Sequence, residues 1–320
     1  MKNSKRSSRN KRILALGALF LLLAVTLGLL FGSSGMLVSG TIFRYVRLPR
    51  TAAAVLAGAG LSVSGAVLQS VLGNRLASPG IIGVNAGAGL GVTVCCAAGA
   101  LSGWMISGAA FLGSLAAVGI ITLAAYRTQA SRSTVILGGV AVNAVLNAFS
   151  ESVAVLFPDA AVLTAEFRVG GFSAVSHVRL IPAAVLILAA LAILMTLTNE
   201  LDLLTLGDET AQGLGMSVRR TKTLFLLLAA LLAGASVSFA GLLGFVGLIV
   251  PHFLRKILGN AGRLLLPSCV LYGGGFVALC DLLARTLFSP YELPVGILMA
   301  VIGGPFFVFL LLKHNNDPMD

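Results

Sequence analysis

Few residues in this chain carry charge, so those that do are the first place to look for chemistry. Asp281 and Arg285 stand four apart, one helical turn with the acid first, a spacing at which they can pair. Arg285 could instead reach the outer surface beside Arg47 and Arg50. Asn143, Asn147 and Glu151 recur every four residues and share one helix face. That face either bonds a neighbouring helix or lines a polar path. Arg44, Arg47 and Arg50 form a tight basic cluster, fit to anchor at lipid headgroups or to meet an acidic partner. Residues 199–222 are the longest polar interval after the N-terminal tail. They carry Glu200, Asp202, Asp208 and Glu209, then Arg219, Arg220 and Lys222.

No catalytic set emerges. His177, His252 and His314 are scattered, and none has metal-ligand spacing to another ligand. There is no GxSxG and no GxxxxGK[ST], so a nucleotide cannot bind in the P-loop manner. Cys95, Cys96, Cys269 and Cys280 lie in apolar runs without CxxC spacing and read as small packing residues. The glycine-rich run at 83–91 (GVNAGAGLG) lies in an apolar segment, where close helix packing explains it.

The elements that must position these residues are membrane helices. The chain has 320 residues, 58% hydrophobic and 10% charged, against about 25% charged in soluble domains. So apolar a chain has no polar coat for water. The fold class is all-α, a polytopic membrane protein of about ten spans, at 13–31, 51–72, 81–101, 105–126, 133–157, 180–197, 223–240, 242–257, 264–288 and 293–312. The first is long enough to be a retained span and lacks a clear signal cleavage site. The eighth is short and holds Gly244, Gly247 and Pro251, so a broken or tilted helix is expected. Within 199–222 the pattern predicts two short helices separated at Gly207, the second beginning with Asp208 and Glu209 and ended by glycine.

Charge sets the orientation. Both termini in the cytoplasm put all but six of the 22 Lys and Arg residues inside. The six outside are Arg44, Arg47, Arg50, Arg168, Arg179 and Arg285. Residues 1–12 become a basic cytoplasmic tail, 13–313 one membrane domain with 199–222 as a cytoplasmic loop, and 314–320 a second tail. The net charge of +11 does not indicate nucleic acid, because the charges lie between hydrophobic runs and not on one face. A weak inverted repeat links LAGAGLSVS at 56–64 with LAGASVS at 232–238, in spans that run oppositely.

Several long motifs, in order, carry a family resemblance. They are RLPR at 47–50, GAGLSVSGAVLQ at 58–69, LGGVAVN at 137–143, LLTLGDETAQGLG at 203–215, AGLLGFVGLIVPHFLR at 240–255 and ELPVGILMAVIGGPFFVFLL at 292–311. Across about residues 44–313 the chain resembles the FecCD/BtuC-type permease subunits of ABC importers for iron-siderophores, haem and cobalamin. The resemblance implies a permease dimer of identical or paralogous chains in a prokaryotic plasma membrane. Two cytoplasmic ATPase subunits carry ATP and Mg, so this chain needs no cofactor, and a binding protein docks from outside. It implies binding-protein docking at Arg47, Arg50 and Arg285. It places ATPase coupling at Leu203, Leu206, Gly207, Asp208, Glu209, Gln212, Gly213 and Leu214. The cytoplasmic gate falls on Asn74, Leu76, Arg132 and Ser133, and Asn143, Asn147 and Glu151 remain the translocation-path candidates. Arg75 departs from the pattern, since cobalamin-type relatives carry proline there. The expected cargo is a metal chelate, ferric siderophore first, with haem or cobalamin as alternatives. The competing class is an ion-coupled secondary transporter, whose titratable candidates Asp281 and Glu151 lie toward the outer ends of their spans.

Overall fold

The computed structural model describes residues 2–32, 40–128 and 130–314. Of the expected C-terminal tail, residues 315–320 lie outside the described residues. Among those described, the chain forms thirteen helices and no strand. They are α1 (Lys2–Leu30), α2 (Gly40–Leu72, with a π-helical turn at Phe43–Arg47), α3 (Val84–Ala97), α4 (Gly103–Thr128), α5 (Arg132–Leu156), α6 (Pro158–Val169), α7 (His177–Thr196), α8 (Thr198–Thr205), α9 (Asp208–Gly213), α10 (Val218–Ala240), α11 (Val246–Leu258), α12 (Gly262–Thr286) and α13 (Val295–His314).

Seven of these, α1, α2, α4, α5, α7, α10 and α12, are long and apolar enough to cross a membrane. The expected third and eighth spans are shorter, with 14 residues in α3 and 13 in α11. At 1.5 Å per residue α3 reaches about 21 Å, short of a hydrocarbon core of about 30 Å. The sequence places its start at residue 81, but Ile81 and Ile82 belong to turns that end at Gly83, φ +93°. Their side chains are as apolar as any helix, so hydropathy alone does not separate turn from span.

Non-helical backbone at membrane depth needs protein partners for its polar groups. Helix α6, in a stretch expected as a loop, supplies them. Phe167 O accepts from Leu242 N at 3.0 Å, and Gly170 O accepts from Gly296 N at 3.1 Å. Gly171 N donates to Ala240 O at 2.8 Å. The end of α6 thus seals the breaks between α10 and α11 and before α13. Its own signals were present in Pro158 at the first turn, Asp159 after it and Arg168 in the last turn.

Helix α2 is the central post, packed on α10, α11 and α12. Small residues allow the approach. A Cβ at Gly65 would lie 1.9 Å from Gly247 O. The two segments of the weak repeat meet directly. A Cβ at Gly60 would lie 2.5 Å from Ser236 Oγ, and Ser64 Oγ donates at 2.7 Å to Ala229 O, about one turn before the second segment.

Candidate functional site

The polar interval folds as the two short helices its pattern predicts. Helix α8 ends at Thr205, Gly207 breaks the chain at φ +105°, and α9 opens with Asp208 and Glu209. Leu201, Leu204 and Ala211 are buried beneath them. Leu206 and Leu214 project outward, 60% and 63% exposed, while Leu203 is half-buried. Glu209, Gln212 and Gly213 are exposed on the same short element.

One side chain joins this element to the expected gate. Arg132, on the first turn of α5, donates through Nη2 to Leu204 O at 3.2 Å and to Asp208 Oδ1. Its guanidinium also lies over Gly73, where an added Cβ would come within 2.4 Å of Nη1. Gly73 has φ +58° and ends α2, so glycine there satisfies both the backbone and the close approach. Next to it, Asn74 Oδ1 accepts from Leu76 N at 2.8 Å and sets the following turn. Asn74, Arg132 and Asp208 are therefore one contiguous unit. Ser133 is exposed on the same turn of α5 as Arg132.

Asp208 also receives a hydrogen bond from Lys222 Nζ on α10. Partial burial raises its carboxyl, but the bonds and charges of Lys222 and Arg132 outweigh that and hold the pKa below the ordinary carboxylate value.

The sequence missed Arg255 on α11. Its Nη2 donates to Ala66 O at 2.9 Å and to Ser70 Oγ at 2.8 Å, and its Nε to Gln69 Oε1 at 3.3 Å. It ties α11 to the last turns of α2, just before Asn74. Arg255, beside Lys256 in the last turn of an otherwise apolar helix, and a lone Gln in α2 were the available signal.

The polar stripe on α5 divides. Asn143 Nδ2 donates to Gly80 O at 2.8 Å and Ile81 O at 3.0 Å, bracing the turn before α3. Asn147 and Glu151 are exposed on the same face.

The three arginines expected to dock the binding protein are buried together at one end of the bundle. Arg47, Arg50 and Arg285 are 4%, 8% and 3% exposed. Arg50 binds Asp281 through Nε at 3.1 and 3.2 Å and Glu292 through Nη1 at 2.6 Å. Arg285 approaches Asp281 at 3.5 Å and donates to Gly28 O at 2.6 Å. Arg47 Nη1 donates to Leu29 O and Leu30 O at 3.2 and 2.7 Å. A guanidinium among apolar helices needs such partners, and α1 and α12 provide them. Arg44 alone of the basic cluster is exposed.

A bundle of apolar helices with interrupted spans, built around a charged bracket at one end, is an architecture that a multi-span membrane permease can use. Residues 13–313 match the FecCD transport family. The chain belongs to that family, the permease subunits of ABC importers for metal chelates, which are not themselves enzymes. Among its relatives is the hemin transport system permease HmuU of Yersinia pestis, 36% identical over 284 residues, 86% of this chain and 84% of that protein. The Fe(3+)-citrate import system permease YfmE of Bacillus subtilis is 36% identical over 84% of this chain and 81% of its own length. The vitamin B12 import system permease BtuC of Yersinia pseudotuberculosis is 36% identical over 86% and 83%. A solved structure, described as an inward-facing conformation of a metal-chelate type ABC transporter, superposes with a TM-score of 0.87. It is 29% identical and covers 95% of this chain and 99% of that one.

Proposed function

We propose that this chain passes an iron chelate, ferric siderophore first, from an outer binding protein to the cytoplasm, driven by a separate ATPase. The relatives named for hemin, ferric citrate and vitamin B12 share the chemistry of a bulky, metal-centred chelate, which supports a wide path with few fixed charges. Haem and cobalamin remain the alternative cargoes. ATP and Mg belong to the ATPase subunits in this reading, and the permease acts as a dimer.

The observation that carries it is Arg132. It bridges α8 and α9, where Leu206 and Leu214 stand exposed, to Gly73 beside the gate residue Asn74. A push on α9 reaches the gate through one guanidinium, the contiguous contact that coupling between two proteins requires. At the opposite rim, Arg44, Arg47, Arg50 and Arg285 outnumber Asp281 and Glu292, which supports docking of an acidic partner there. The test is to replace residues 203–215 with a flexible Gly-Ser linker and co-purify with the cognate ATPase. Loss of the ATPase is expected. Retention at wild-type yield would sink the coupling assignment.

A further inference from the structure

Between the coupling helices and the gate lies a cavity of about 670 Å³. Its floor is mostly apolar, with Val71 at the end of α2, Ala125 on α4 and Leu226 on α10 beside the buried Thr122 hydroxyl. Its rim is basic, carrying Arg132, Arg219, Arg220 and Lys222 against the single carboxylate Asp208. Asp208 is already taken up by Arg132 and Lys222. Arg219 Cζ lies over the Tyr126 ring, 3.6 Å from its centroid, and the guanidinium donates to Tyr126 O. Arg220 is exposed at the mouth. The cavity therefore keeps a surplus of positive charge above an apolar pocket of ligand size.

We infer that this cavity is a binding site for an anionic phospholipid, its phosphate headgroup held by Arg219 and Arg220 and an acyl chain on the Val71, Ala125 and Leu226 floor. A soluble anion would use the rim alone and leave the floor without a purpose. Apolar surface continues beside the cavity in Leu123 on α4 and Leu224 and Leu227 on α10, all exposed. The charge distribution assigns this end of the spans to the cytoplasmic face, where anionic lipids attract basic juxtamembrane groups. A lipid seated here touches the same Arg132 and Asp208 that link coupling element to gate. The site itself rests on the cavity and not on the coupling reading.

The test uses the full chain in neutral detergent, titrated with dioleoylphosphatidylglycerol, dioleoylphosphatidylcholine or inorganic phosphate, with bound lipid counted by native mass spectrometry. Phosphatidylglycerol is expected to bind at least about tenfold more tightly than phosphatidylcholine. The double variant Arg219→Gln with Arg220→Gln is expected to lose that preference. Ala125→Phe, which fills the floor and keeps every charge, is expected to weaken phosphatidylglycerol as well. If the double variant does not fold, the exposed Arg220→Gln alone gives the charge arm. Unchanged phosphatidylglycerol binding in the charge and floor variants overturns the site. Displacement of the lipid by millimolar phosphate assigns the rim to a free anion instead. Expulsion of the lipid when the cognate ATPase assembles assigns the cavity to the ATPase. Loss of lipid with retained ATPase co-purification in the charge variant separates this site from the coupling assignment.

Discussion

Asp208 receives two cations from two different helices, Arg132 of α5 and Lys222 of α10. Its folded pKa lies below the ordinary value, so the contact adds stability above about pH 4 and loses it only as pH falls further. Between about pH 5 and 8 the bracket is insensitive to pH. The side chain is 44% exposed, so its worth to folding is at most about 1 kcal/mol. Its worth to coupling is larger if gate and coupling element move together. Asp208→Asn keeps the shape and removes the charge. Uptake in vesicles is expected to fall roughly tenfold, within the usual span of coupling energies, while the ATPase still co-purifies. Uptake equal to wild type would remove Asp208 from the linkage. Arg50 tests the opposite regime. Arg50→Ala leaves Asp281 buried with only Arg285 nearby, and is expected to cost about 3 kcal/mol in unfolding free energy measured in detergent. The place of Asp208 in a helix first turn was legible in the sequence. Its partner Arg132 was not, because 76 residues separate them and only the packed bundle brings them together.

At the scale of elements, glycine decides which helices touch. Gly65 faces Gly247 O at a distance no side chain fits, so Gly65→Val must part α2 from α11. An overpacked contact of this kind costs about 1–3 kcal/mol, and because α11 holds α2 through Arg255, the last turns of α2 shift with it. A lowered unfolding midpoint in detergent is expected, and a midpoint equal to wild type would mean that the helices are already apart in the membrane. The long spans and the α8–Gly207–α9 break could be read from sequence, since hydropathy, helix-start acids and glycine act locally. The 14-residue α3 and the sealing role of α6 could not. Both depend on where backbone groups find partners across the bundle, and apolar turns carry no local mark of that.

For the whole molecule, the question is where the energy enters. An ion-coupled carrier needs titratable groups at mid-membrane that load and release with each cycle. Asp281 is locked by Arg50 and Arg285, and Glu151 is exposed on α5. The pairing of Asp281 with two arginines argues against an exchanging ion site there. Among the described residues, a contiguous linkage to the gate runs from α9 through Arg132, at the end carrying exposed Leu206 and Leu214. In the proposed reading, energy delivered there comes from a separate ATPase, and the sequence carries no GxxxxGK[ST] loop. Sealed membrane vesicles decide between the two. With binding protein and ferric siderophore on the outer side, uptake is expected to require both the ATPase and ATP, and to persist when ionophores collapse proton and sodium gradients. Uptake that survives without the ATPase and stops with the gradients would overturn the importer mechanism. A double substitution Leu206→Ser and Leu214→Ser in the same vesicles is expected to reduce uptake at least about fivefold, and its failure to do so would place the ATPase contact elsewhere on the loop.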